Sequence, residues 1–206
     1  TVGASEAIDL ALRALINPGD EVLYHEPCYV SYAPVISMAH GVPVLVETNV
    51  KNKFMLRAAD LEKKVTDKTK VFMLNFPTNP TGATLSYDVA KELAEFAVKH
   101  DLVVITDEIY SELTYDEDRI SVANFPGMQE RTIFIHGMSK AWAMTGYRIG
   151  YACAPNILVE AMMKIHQYAM LCAPITSQMA AIEALRNGAE PAEMMRQTYA
   201  SRRNLL

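Results

Sequence analysis

Short apolar runs alternate with helical patterns along most of this chain, and no other feature of the sequence restricts the fold as tightly. Val22-Leu23-Tyr24, Val42 to Val46, Val71 to Leu74, Leu102 to Ile105, Thr132 to Ile135 and Ile149 to Cys153 have the length and composition of buried strands. Helical periodicity fills the gaps. Ile8, Leu12, Leu15 and Ile16 share one face of a helix that Asn17-Pro18-Gly19 must end, and residues 30–39 read as a second helix. A short helix is expected near Leu61 and Val65, and Ser86 caps one whose Val89, Leu93, Phe96 and Ala97 face the same way. Strand–helix alternation implies βαβ units, hence a mostly parallel sheet covered on both faces. The link from Ile135 to Ile149 is too short for a full crossover helix, so one strand is expected to run antiparallel. From about Asn156 onward only helices are predicted.

Composition narrows the function class. Half of the 206 residues are apolar and the formal net charge is -5, which fits a globular protein and speaks against binding nucleic acid through its phosphates. No run reaches the roughly 18 apolar residues of a membrane span, and no secretory leader is evident. A cytoplasmic protein is therefore expected. Cys28, Cys153 and Cys172 lack metal-type spacing and read as free thiols of a reducing compartment. His25, His40, His100, His136 and His166 read as structural or surface groups, with no metal site. The Met162-Met163 to Met170 stretch reads as core or dimer-interface packing.

Ligands of open α/β sheets bind beyond the carboxyl ends of the strands, so the residues following each run are where chemistry belongs. After Val71–Leu74 comes Asn75-Phe76-Pro77-Thr78-Asn79-Pro80-Thr81-Gly82. After Leu102–Ile105 comes Thr106-Asp107-Glu108-Ile109-Tyr110, and after Thr132–Ile135 comes His136-Gly137-Met138-Ser139-Lys140, with Arg148 beyond. Val2-Gly3-Ala4-Ser5 precedes the first helix. Each piece alone has a plain reading as a turn, a solvated acid or a surface lysine. Their joint placement at element ends would bring an amide, a carboxylate, an amine, a guanidinium and a helix N-terminus to one rim.

Asn79-Pro80-Thr81-Gly82, Asp107-Glu108-Ile109-Tyr110 and Ser139-Lys140 with Arg148 eight residues on make the whole chain resemble class I/II aminotransferases of fold type I. The likeness is strongest to bacterial enzymes assigned to alanine, aromatic amino acids or N-acetyl-diaminopimelate. The resemblance implies a three-layer α/β/α large domain over residues 1–206, with a sheet of about six to seven strands including one antiparallel. It also implies pyridoxal 5'-phosphate, amino-acid and 2-oxo-acid substrates (2-oxoglutarate the expected acceptor) and a homodimer.

The same resemblance assigns roles. Lys140 would form the Schiff base with the cofactor and then act as base and acid. Asp107 would face the pyridine nitrogen, and Asn79 and Tyr110 the phenolic oxygen. The amides of Ala4 and Ser5 with Arg148 would hold the phosphate. Tyr29 would stack on the ring, with Ile109 closing its other face. Where the family often has a phosphate-binding hydroxyl, three residues before the lysine, this chain has Gly137, so that contact is absent or passes to Ser139. The family's subunit is longer, which marks the chain as a truncated large domain, starting inside a strand and lacking N-terminal arm and C-terminal small domain; the helix over residues 201–206 would lead into the latter. Such a fragment is expected to transaminate weakly or not at all. A lyase or synthase of the same fold, such as a C–S lyase, and an aminotransferase-like sensor domain stay open. A dinucleotide-binding domain is disfavoured because no Gly-x-Gly-x-x-Gly follows a strand.

Overall fold

The structure, a computed structural model, describes residues 1–116 and 118–205; Leu206, the last residue of the expected terminal helix, lies outside them. Six strands form one sheet: β1 (Glu21–Glu26), β2 (Val42–Glu47), β3 (Thr69–Asn75), β4 (Val103–Asp107), β5 (Thr132–Gly137) and β6 (Gly150–Cys153). Their order is β2-β1-β3-β4-β5-β6, with every pair parallel except β5–β6. The expected mixed sheet is thus present, with the antiparallel strand at the short link where sequence puts it.

Helices α1 (Gly3–Leu15), α2 (Tyr32–Met38), α3 (Ala58–Leu61), α4 (Tyr87–Lys99), α5 (Asn156–Ala169), α6 (Ile175–Asn187) and α7 (Ala189–Arg203) complete the fold. Side chains alternate across a strand, so β3 feeds two cores at once. Phe72 and Leu74 pack toward Leu93 and Phe96 of α4, while Val71 and Met73 join Ile8 and Leu12 of α1 and Ile36 of α2. Each such side chain contributes about 1.5–3 kcal/mol through burial. Ser86 caps α4 as expected, its hydroxyl accepting the Val89 N–H at 3.4 Å. Helix α1 stops at Leu15, and Ile16 turns to extended geometry while its side chain stays buried. Val65 lies beyond the end of α3, packed against the core from a turn.

Helix α5 packs on α1 and ties to it through His166 Nδ1 and Glu6 Oε1, 2.7 Å apart. The methionine stretch divides: Met162 is buried in the α1 core, whereas Met163 and Met170 are exposed. The start of the chain borders the antiparallel edge, where the Thr1 amine donates to the Gly150 carbonyl at 2.9 Å and Gly150 N–H donates back at 3.0 Å. None of the described helices is long and apolar enough to cross a membrane.

Candidate active site

Asp107 is the last residue of β4, in register with Asn75, the last of β3. Both are buried, and backbone pairing alone brings these two polar side chains to the carboxyl rim. The Asn75 amide donates to the Asp107 carbonyl at 2.8 Å, and its Oδ1 accepts the Asn79 N–H at 3.2 Å. The Asp107 carboxylate accepts the Tyr32 hydroxyl at 2.7 Å and the Ile109 N–H at 3.2 Å. Burial pushes this carboxyl up to about 6, although both hydrogen bonds and the nearby Lys140 charge work to lower it. A buried acid with an amine opposite it is the electrostatic centre of the site.

The loop after β3 turns sharply: the Thr78 N–H donates to Ala83 and the Gly82 N–H to Thr78. Gly82 has φ +71°, a conformation that suits glycine, and Asn79 is thereby turned toward the rim. Past β4, Tyr110 presents its ring to Lys140, whose Nζ lies 5.4 Å from the ring centroid. Lys140 itself follows the end of β5 by three residues, on a tight turn rather than a helix.

The opposite end of the site is built for an anion. Helix α1 begins at Gly3 with no side-chain cap, which leaves amide donors of its first turn without helical partners. Gly3 has φ +75°, and a Cβ there would come within 2.6 Å of Arg148 Nη2. Arg148 itself takes a left-handed conformation, φ +51°, at a cost of roughly 1–2 kcal/mol. Its Nη1 donates to the Thr145 carbonyl at 2.9 Å, which braces the guanidinium against the helix start. A Cβ on Gly150 would lie 2.7 Å from Ala4 N, so two glycines hold β6 and α1 close enough to share this corner.

All nine residues picked from sequence (Ala4, Ser5, Tyr29, Asn79, Asp107, Tyr110, Ser139, Lys140 and Arg148) line one cavity of about 250 Å³. Tyr29 stands at its rim, 36% exposed and edge-on to Tyr32 with centroids 5.8 Å apart, so it is not a core tyrosine. Ile109 lines the cavity too. Sequence reasoning gave no role to Tyr32, Asn75, Ile8 or Thr145, which also line it. The Asn75 position was legible, being the first residue after an expected strand, but nothing local links Tyr32 to an acid so distant in sequence.

Gly137 has a steric reason to lack a side chain. A Cβ there would sit 2.9 Å from the Ile149 carbonyl and 3.0 Å from Gly150 Cα, where the antiparallel pair is closest. Ser139 is buried and lines the cavity. Beside the site a wider cleft of about 740 Å³ opens, sharing Asn79 and Tyr110 and running past Thr114, Tyr115, Tyr199 and Arg203. It is lined by neither lysine nor buried carboxylate, so the smaller cavity is the candidate site. Next to Asp107, Glu108 points away into a pocket of hydroxyls, accepting from Thr106 at 3.0 Å and Ser121 at 2.6 Å; burial pushes it up to about 7.

His25 and His100 have structural surroundings. His25 is buried, stacked on Phe76 at 4.9 Å and held neutral by burial, with its pKa lowered to about 4. His100 pairs with Glu62 at 3.0 Å. Among the described residues no cluster of His, Cys, Asp and Glu could hold a metal ion.

The family model for aminotransferase class I and II matches residues 1–206. The YugH protein of Bacillus subtilis (strain 168) is 55% identical over all of this chain, which covers 53% of that relative. The aspartate aminotransferase of Pyrococcus abyssi is 44% identical, again over the whole chain and 54% of the relative. The crystal structure of the aromatic aminotransferase from Pyrococcus horikoshii OT3 superposes with a TM-score of 0.96 at 42% identity, covering 99% of this chain and 56% of that one. The chain thus spans about half the length of the proteins it matches.

Proposed function

We propose, because this chain belongs to the aminotransferase class I and II family, that it forms the cofactor-binding large domain of a pyridoxal-phosphate-dependent aminotransferase. The observation that carries the reading is the convergence of the Lys140 amine, the buried Asp107 carboxylate and the Arg148–Ala4–Ser5 corner on one cavity.

The residues present fit the cofactor. A doubly charged phosphate suits a corner made of helix-start amides and a guanidinium, which glycines at 3 and 150 keep free of side-chain bulk. At the other end, a buried carboxyl held up at about 6 would be drawn down by a positive ring nitrogen, which makes the pairing favourable to both charges. When bound, pyridoxal phosphate supplies an electron sink for the bond broken at the substrate Cα.

The rest of the chemistry falls to the chain. Lys140 would hold the cofactor covalently and, once released, would carry the proton from the substrate Cα to C4′ of the cofactor. Asp107 holds negative charge where the ring nitrogen needs it, and Tyr32 holds Asp107. Asn79 and Tyr110 would donate to the phenolic oxygen. Tyr29 and Ile109 would cover the two ring faces and keep water from them. Ser139 adds a hydroxyl beside Lys140.

The substrates are an amino acid and a 2-oxo acid, with 2-oxoglutarate the acceptor we favour. Relatives at 44% and 42% identity are named for aspartate and for aromatic amino acids, which supports a donor of one of these two classes. We take the enzyme to be a homodimer, supported by Tyr168, Leu171 and Ile175, which are 67–86% exposed on and between α5 and α6. A cytoplasmic setting is supported by three unpaired cysteines.

Borohydride reduction with pyridoxal phosphate, followed by peptide mass mapping, tests the assignment. Label is expected on Lys140; label confined to another lysine would overturn it. Product analysis of the intact enzyme then separates transfer from elimination. An oxo acid formed together with glutamate is the expected result, and ammonia with pyruvate would point to a lyase.

A further inference from the structure

Tyr110 can serve the site only if its hydroxyl is aimed correctly, and its aim depends on the turn that follows β4. On one side that turn is fixed by the sheet, since the Glu108 N–H donates to the Ile135 carbonyl at 2.9 Å. On the other side stands His136, a buried residue of β5 four positions before Lys140. Its ring is stacked on Tyr151 at 5.7 Å and on Phe134 at 6.1 Å, with Trp142 edge-on at 6.3 Å. Nδ1 accepts the Gly137 N–H at 2.7 Å, which fixes the tautomer: the hydrogen sits on Nε2. Nε2 lies 3.1 Å from the hydroxyl of Ser111, the residue after Tyr110, and donates to it. Ser111 in turn closes the turn, its carbonyl accepting the Thr114 hydroxyl at 2.9 Å.

We infer that His136 is a positioning residue for Tyr110: through the Ser111 hydroxyl it fastens the Tyr110 turn to the strand that delivers Lys140. The inference rests on the proposed contact of Tyr110 with the cofactor. Burial supports it by depressing the His136 pKa, against the pull of Glu112 and with Arg119 adding to the depression, so the ring keeps the neutral tautomer the geometry needs. Phe134, Tyr151 and Trp142 leave the imidazole little freedom to swing, so the hydrogen bond is held in one direction.

The test uses the intact protein reconstituted with pyridoxal phosphate, reading the pH titration of its visible band and the retention of cofactor on dialysis. Tyr110→Phe is the reference. Ser111→Ala should move the titration midpoint in the same direction by less, and weaken retention roughly two- to tenfold, the effect of one neutral hydrogen bond. In the Tyr110→Phe background Ser111→Ala should do nothing further, because both changes act through one hydroxyl. His136→Gln, whose amide can replace the Nε2 donor, should stay closer to wild type than His136→Asn, which is too short to reach Ser111. Equal effects of Ser111→Ala in both backgrounds, or none in either while Tyr110→Phe shifts the band, would overturn the inference. An unmoved band in Tyr110→Phe would instead remove the Tyr110 reading, and this inference with it.

Discussion

Replacing Asp107 by asparagine should strengthen the cofactor-free protein while ruining its grip on the cofactor. The folded protein keeps the Asp107 proton until about pH 6, whereas the unfolded chain releases it near the ordinary value of 3.8. Between those values the native state binds more protons than the unfolded one, so stability must fall as pH rises through that window and then level off. About two pH units of difference correspond to roughly 3 kcal/mol at neutral pH. Asparagine carries no charge to desolvate, can still accept the Ile109 N–H, and can donate to the Tyr32 oxygen in place of accepting from it. Urea unfolding of the cofactor-free intact protein at pH 4, 5, 6 and 8 would measure this. Asp107→Asn and wild type should be close at pH 4, with the variant ahead by up to about 3 kcal/mol at pH 8. Added pyridoxal phosphate should reverse the order, because only the wild type gains binding energy in the folded state. A gap that ignores pH, or that widens in favour of the wild type as pH rises, would refute the account of Asp107 as a desolvated acid awaiting a cation.

Two further changes probe the Tyr32 hydrogen bond and the β5–β6 clearance. Tyr32→Phe removes a buried 2.7 Å hydrogen bond to the carboxylate, and should raise the Asp107 pKa further and weaken cofactor binding by about 1.5–3 kcal/mol at pH 7, read by equilibrium dialysis; unchanged affinity would mean that Tyr32 only packs. Gly137→Ser, which restores the hydroxyl common in the family, should destabilise the fold by about 1–3 kcal/mol in thermal or urea unfolding, since its Cβ meets backbone at 2.9 Å. A stable Gly137→Ser protein with tighter phosphate binding would show that β5 and β6 can part.

How much of this was legible before any coordinates comes down to range. Strands β1 to β6 and helix α4 announce themselves through apolar period and the Ser86 cap, because those signals are local. The rim segments followed from one topological rule, that ligands gather where parallel strands end, and the resemblance to the family then singled out Asn79, Asp107, Tyr110 and Lys140 within them. Tyr32 could not. Its hydroxyl meets Asp107 from α2, an encounter that only the packed layers decide. The His136–Ser111 bond and the Glu6–His166 tie belong to the same class, as each joins residues whose own neighbours in sequence say nothing of a partner. Gly137 looked like a missing contact, and turned out to be a clearance between two backbones.

The reversed direction of β6 has a consequence for how this architecture can vary. Because Gly150 pairs with Gly137, the chain leaves the rim at the end of β5 and returns to that same rim, carrying Lys140 on the way out and Arg148 on the way back. A parallel β6 would have delivered Arg148 to the far side of the molecule and required a long crossover to do it. Amine and guanidinium therefore travel on a single tether, residues 138–149, which joins the paired ends of β5 and β6. Insertions in the loop after β3 or in the long stretch before β5 leave that tether untouched, whereas one extra residue between positions 140 and 148 would change the spacing of the two cations directly.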